Sequence, residues 1–176
     1  MAARAPAEVA EGTLVFTDIV GFTEFTALRG DEEAIVLLSR QEALVREALP
    51  ANARIVKELG DGLLLWFADA CEAVDTTFQL QRRFEEESAE SMLPLWVRVG
   101  MHTGRATKRG DDLVGHAVNV AARVVDVAAP GEVLLSKATV DQVDGKLPHV
   151  CFEELGPVVM KGIPEPVPLY RARPAD

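Results

Sequence analysis

The stretch Arg54 to Phe67, RIVKELGDGLLLWF, constrains the fold more than any other part of the chain. Two arms rich in β-formers, ARIVKEL and LLLWF, flank Gly60-Asp61-Gly62, and the first arm alternates apolar and polar residues, so the segment predicts a β-hairpin with a tight turn. Lys57 projects from one arm and Asp61 sits at the tip. Taken alone, these two residues allow two readings: a solvated surface ion pair, or a cation and an acid with functions of their own.

The chain has 176 residues, 48% hydrophobic and 26% charged, which fits one globular domain with a sizeable core. A net charge of -10 argues against a general nucleic-acid surface, so a phosphate ligand would need locally concentrated cations, for which Lys57, Arg98, Arg123 and Lys161 are the candidates. Two cysteines, Cys71 and Cys151, are too few for a disulfide framework and lack metal-ligand spacing, which makes a reducing, cytoplasmic setting the default. No run approaches the roughly 18 uninterrupted apolar residues of a membrane span. The opening MAARAPAEVAEG has no apolar core of a signal peptide; residues 1–11 read as a disordered or linker start, 12–172 as the folded domain and 173–176 as a tail.

In chain order, TLVFTDI (13–19) is an apolar β-run closed by Asp18, then come Gly21 and FTEFTALRG, whose Phe22, Phe25 and Leu28 fall at helical spacing. Such a junction offers free backbone N–H groups to an anion, although strand–turn–helix junctions with an Asp are common. Residues 31–49 predict an amphipathic helix ended by Pro50, and 68–90 a second one with Val74, Phe78, Leu80 and Phe84 inward. LWVRVGMHT (95–103) alternates as a central strand, with Leu95, Val97, Val99 and Met101 on one face and Trp96, Arg98, Gly100 and His102 on the other. His102 reads as a structural histidine. Residues 104–111 predict a polar loop, followed by Asp112, Gly115 and the helix HAVNVAARVVDVAA. There Asn119 and Arg123 are spaced i, i+4, so an amide and a guanidinium share one helix face, either as a fork for a ligand or as a solvated polar pair. A short strand EVLL (132–135), a helix capped by Ser136, and a hairpin around 158–166 with Lys161 in its loop complete the chain. The element order predicts an α+β fold with helices on one face of a mostly antiparallel sheet, the other face being left to self-association.

Five segments, FTDIVGFT (16–23), KELGDGLL (57–64), VRVGMHTG (97–104), DDLVGHAVNVAARV (111–124) and MKGI (160–163), resemble in order and spacing the catalytic domain of class III nucleotide cyclases. The resemblance covers about Gly12 to Arg171 and implies a ferredoxin-like βαββαβ core with extra helices and a C-terminal hairpin. It implies that Asp18 and Asp61, with the backbone carbonyl of Ile19, hold two Mg²⁺ or Mn²⁺ ions, and that Lys57 and Asp112 select the base. Adenine presents an acceptor at N1 and a donor at N6, which an ammonium and a carboxylate complement; guanine presents the reverse, and a buried mismatch discriminates by roughly 10⁴ or more. Asn119 would then orient the ribose and Arg123 offset charge at the α-phosphate, with Lys161 and Arg98 as further phosphate contacts. The implied reaction is ATP to 3′,5′-cyclic AMP and pyrophosphate, by attack of the ribose 3′-oxygen on the α-phosphorus with two-metal assistance. The implied assembly is a head-to-tail homodimer with two shared sites.

Four other readings compete. A silent cyclase-like nucleotide-binding module would be expected to have lost one of Asp18, Asp61, Asn119 or Arg123. A guanylyl cyclase is disfavoured by Lys57 and Asp112, a diguanylate cyclase lacks its GGDEF-type signature in GDGLL, and a plain interaction domain leaves the five segments unexplained.

Overall fold

The computed structural model describes residues 3–176. The chain runs β1 (Val9–Ile19), α1 (Phe22–Arg29), α2 (Asp31–Ala48), β2 (Ala53–Leu59), β3 (Gly62–Phe67), α3 (Ala70–Ser91), β4 (Val97–Arg109), β5 (Asp112–Val114), α4 (His116–Asp126), β6 (Val133–Ser136), α5 (Lys137–Val143), β7 (Val150–Val158) and β8 (Val167–Pro174). One sheet has the order β2-β3-β1-β4-β6-β8-β7, with β5 paired to β4. Its first four strands, antiparallel throughout, are the expected βαββαβ core. β6 then joins β4 in parallel, which needs a crossover, and α4 supplies it.

Three expectations are corrected. β1 begins at Val9, because Val9 and Ala10 pair with Thr107 and Ala106 of β4, so residues 9–11 are strand and not linker. Residues 1 and 2 of that expected linker lie outside the described residues. At the other end β8 runs through Arg173 and Pro174, the start of the expected tail. Residues 104–111 are no loop: β4 continues to Arg109 and turns at Gly110-Asp111 into β5. This turn repeats the hairpin tip at Gly60-Asp61, since both have Gly first, at φ 61° and 63°, conformations that glycine adopts without the cost other residues meet.

The helices also divide differently from expectation. Leu37, Leu44 and Val45 of α2, Val74, Leu80 and Phe84 of α3, and Val140 and Val143 of α5 pack on Val15, Leu65, Val99, Met101 and Leu135, on one face of the sheet. α4 crosses the opposite face, where Ala117, Val118, Ala121 and Val125 cover Leu14, Phe16 and Leu64. Self-association is therefore not needed to cover the strands under α4. Asp69 caps α3, accepting from the backbone N–H groups of Cys71 (2.7 Å) and Glu72 (3.1 Å). Ser136 stands at the start of α5, but its hydroxyl is not the cap: it bonds His102 Nδ1 at 2.6 Å. Burial, helped by His116, pushes the His102 pKa down to about 4, so this histidine, read from the sequence as structural, is neutral.

α4 lies very close to β4, and one residue makes room. A Cβ on Gly100 would stand 2.2 Å from the backbone nitrogen of Val125 and 2.6 Å from its Cα. Gly100→Ala therefore pushes backbone against backbone and should destabilise the chain by about 2 kcal/mol. Thermal unfolding is expected to shift down by about 4–8 °C in a chain of this length; an unchanged Tm would show that α4 can lift without cost.

Candidate active site

Asp18, the last residue but one of β1, lies on the α4 face of the sheet, directly opposite Arg98 of β4. Asp61 is brought beside it by the β2–β3 turn, since Gly62 pairs with Asp18 in register. Asp18, Ile19, Asp61 and Arg98 line one cleft of about 350 Å³ together with Gly21, Thr23 and Glu24 at the start of α1. Burial and the hydrogen-bonded carboxylate of Asp18 raise the Asp61 pKa from 3.8 to about 6. Arg98 donates to Asp18 from Nε at 2.8 Å and contacts it from Nη2 at 2.6 Å. Its Nη1 donates to the carbonyl of Asp126, the last residue of α4, at 3.0 Å.

The donor set fits a hard divalent cation. Two converging carboxylates, the Asp61 pKa raised by burial and by its neighbour Asp18, together with Ile19 in the lining, are oxygen ligands of the right kind. Among the described residues no group of three or more His, Cys, Asp or Glu side chains converges. A pair of carboxylates is what Mg²⁺ sites use when a substrate's phosphates complete the shell, not an all-protein cage.

A second group forms elsewhere. Lys57 Nζ of β2 lies 3.0 Å from Asp112 Oδ1 and 3.2 Å from Oδ2, at the start of β5. The Lys57 ammonium holds the Asp112 carboxyl below its ordinary range, and a bond from the Leu113 N–H to Oδ1 (2.7 Å) adds to this. A β-bulge makes the meeting possible: the β2–β3 register shifts between Ile55 and Lys57. The extra residue, Val56, turns Lys57 to the Leu64 face of the sheet, where β5 lies, instead of the α2 face. Arg54 Nη1 clamps the second turn by donating to the Asp111 carbonyl at 2.9 Å.

Asn119 and Arg123 stand on the outer side of α4, as the i, i+4 spacing predicts, and Arg123 Nη1 contacts Asp126 Oδ2 at 3.2 Å. Lys161 is exposed in the turn at residues 159–166. The structure thus brings together Asp18, Ile19, Asp61 and Arg98 in one cleft and Lys57 with Asp112 in a separate pair, and it joins Asn119, Arg123 and Lys161 to neither: the carboxylate cleft is lined by none of Lys57, Asp112, Asn119, Arg123 or Lys161. A larger cleft of about 970 Å³ between α3 and the end of β8 holds none of the predicted residues. Sequence reasoning missed Gln41 of α2, whose Nε2 donates to the Asp61 carbonyl at 3.2 Å. The signal was available, since Gln41 interrupts the buried stripe Ala34, Leu37, Leu44, Val45.

Residues 5–171 match the family described as the adenylate and guanylate cyclase catalytic domain. The chain belongs to that family. It is 32% identical over 164 residues to a pH-sensitive adenylate cyclase of Mycobacterium tuberculosis, covering 92% of this chain and 40% of that protein; it therefore spans less than half the length of this relative. The fold is that of the adenylyl cyclase CyaB from Pseudomonas aeruginosa, with a TM-score of 0.85, 23% identity and 97% of each chain covered. The guanylate cyclase domain of RhGC from Catenaria anguillulae in complex with GTP is also similar, with a TM-score of 0.78, 19% identity, and 97% of this chain and 100% of that one covered. At such identities the likeness speaks to the fold and not to the base.

The Asp61 shift has a testable sign. Its folded pKa lies above the unfolded value, so the folded chain is favoured while Asp61 stays protonated and loses stability as pH rises through about 6. A shift of about 2 units corresponds to ~3 kcal/mol at most, discounted here to about 1 kcal/mol because the group is partly exposed. Without divalent metal, Asp61→Asn is expected to raise Tm at pH 8 by about 2–4 °C, with the gain vanishing towards pH 4. A gain of equal size at both pH values would assign the effect to something other than this ionisation.

Proposed function

We propose that the chain is the catalytic domain of an adenylyl cyclase, converting ATP to 3′,5′-cyclic AMP and pyrophosphate at sites shared by a homodimer. The observation that carries the base assignment is the contact of Lys57 with Asp112, two residues brought from distant strands to 3.0 Å. An ammonium to donate to adenine N1 and a carboxylate to accept from N6 are side by side, and guanine would face both with the wrong polarity. Family membership supports cyclase chemistry, and the separation of the two residue groups within one chain supports a site completed by a second, head-to-tail copy.

In this reading Asp18 and Asp61, with the Ile19 carbonyl, hold two Mg²⁺ or Mn²⁺ ions, which supply Lewis acidity at the 3′-oxygen and the leaving group. Asn119 of the other protomer orients the ribose, so that the 3′-oxygen faces the α-phosphorus. The new P–O bond closes the cyclic ester, the bond to pyrophosphate breaks, and the 3′-hydroxyl proton leaves to solvent. Arg123 donates to the α-phosphate as its charge rises, and Arg98 and Lys161 meet the remaining phosphates. Among the described residues no helix is long and apolar enough to cross a membrane, and we place the domain in the cytoplasm, where ATP is supplied.

With Mn²⁺, the purified chain is expected to form cyclic AMP from ATP in large excess over cyclic GMP from GTP, followed by chromatography of the products. Cyclic GMP as the main product would give the guanylyl reading, and no cyclic product at dimerising concentrations the silent-module reading. Asp18→Ala and Arg123→Ala, each inactive alone, are expected to regain activity when mixed, up to about one intact site per heterodimer. Heterodimers without activity would remove the shared-site arrangement. In the double variant Lys57→Glu, Asp112→Ser the preference for ATP over GTP should collapse, and a preserved preference would refute the base assignment.

A further inference from the structure

Gln41 is 2% exposed, on a helix stripe where every other buried residue is apolar. A buried amide is costly unless its hydrogen bonds are met, so a side chain of this kind on such a stripe has partners to account for. Its Nε2 donates to the backbone carbonyl of Asp61 at 3.2 Å, and its Oε1 accepts a long bond of 3.5 Å from the hydroxyl of Thr17, which is also 2% exposed. Both partners adjoin the carboxylate cleft: Thr17 precedes Asp18 in β1, and Asp61 contributes to the cleft itself.

The alternation of β1 explains how one amide reaches both without entering the cleft. Thr17 faces α2, whereas Asp18 faces α4, so Gln41 grips the strand from behind while the carboxylate points forward. The turn is already pressed on this strand, since a Cβ on Gly62 would lie 2.4 Å from the Thr17 carbonyl oxygen. That contact limits how near the turn can come; the bond from Gln41 to the Asp61 carbonyl sets how the peptide is rotated, and with it the direction of the Asp61 side chain.

We propose that Gln41 is a positioning residue for the metal site, its buried amide clamping the Asp61 turn to β1 so that the two carboxylates converge. This rests on the proposed role of Asp18 and Asp61 as metal ligands. Partners behind a ligand typically alter metal affinity by about 10–100-fold when lost, whereas a residue that only fills the core alters stability.

Mn²⁺ alone is titrated into the full chain and the free ion followed by electron paramagnetic resonance, for the wild type, Asp18→Asn, Gln41→Leu, Gln41→Glu and Leu44→Ala. Gln41→Leu is expected to weaken Mn²⁺ binding by about 10-fold or more. It should raise the Mn²⁺ concentration for half-maximal activity by a similar factor, with kcat largely recovered at saturation. Gln41→Glu keeps the shape and, protonated by burial, can still donate an O–H to the Asp61 carbonyl, so it should weaken Mn²⁺ binding less than Gln41→Leu. Leu44→Ala, a cavity on the same stripe, should lower Tm and leave Mn²⁺ affinity unchanged. Wild-type affinity in Gln41→Leu, or equal weakening in Leu44→Ala, overturns the positioning role. If the wild type binds Mn²⁺ no better than Asp18→Asn, the metal reading itself fails and this inference falls with it.

Discussion

Arg98 contacts the Asp18 carboxylate with two nitrogens, and with the third it holds the last carbonyl of α4. One guanidinium thereby ties β1, β4 and α4 together, using the fixed fork geometry that a lysine lacks. In the carboxylate cleft, burial first and then the neighbouring Asp18 carboxylate raise the Asp61 pKa, and the charge of Arg98 offsets only part of this. Gly100, two residues along the same face of β4, then lets α4 settle close enough for its end to be within reach of Arg98.

The two Gly-Asp turns divide the remaining work. The first sets Asp61 at the cleft, and the second brings Asp112 to Lys57. Both connect to the same hairpin, because Asp61 is its tip and Lys57 lies on its arm. Under the proposed reading these two residues serve different active sites of the dimer, so the surface ion pair considered for them has no place: the partner of Lys57 is Asp112. A strand ladder is stiff, and displacement of the tip by a ligand in one site would be felt by the base-reading residue of the other.

Much of this was legible in the sequence wherever a local pattern matched a local structure. The hairpin, the alternation of the strand read at 95–103, which the structure starts at Val97, and the shared helix face of Asn119 and Arg123 follow from periods of 2 and 3.6 and from turn chemistry. The extension of β4 was missed because polar residues such as Thr107, Lys108 and Arg109 lie on its exposed end, where burial no longer imposes alternation. A second Gly-Asp in sequence was the sign that went unused. The bulge at Val56 was not legible, since one inserted residue leaves no compositional trace and shows only in which face Lys57 takes. The placement of α4 on the opposite face is likewise a tertiary matter: its apolar residues fit either side, and Gly100 alone hinted that a backbone comes close.

Each strand- or helix-borne cation of the predicted site is already engaged by an acid of its own chain: Lys57 by Asp112, Arg98 by Asp18 and Arg123 by Asp126. Lys161 stands apart in its turn. In a chain of net charge -10 this pairing keeps the cations local, but it also means that an anionic nucleotide does not enter a ready-made positive cleft. Under the proposed reading, binding would be an exchange of carboxylate for phosphate at Arg123, and of carboxylate for adenine at Lys57. The Lys57 and Arg123 pairs are partly exposed and individually weak, ~1 kcal/mol or less, so their exchange would be easy when a triphosphate brings several contacts at once, while Arg98 keeps its less exposed tie to Asp18. A ligand without the phosphates or the base would replace too few of them, so that under the proposed reading these weak pairs would select for a whole nucleotide.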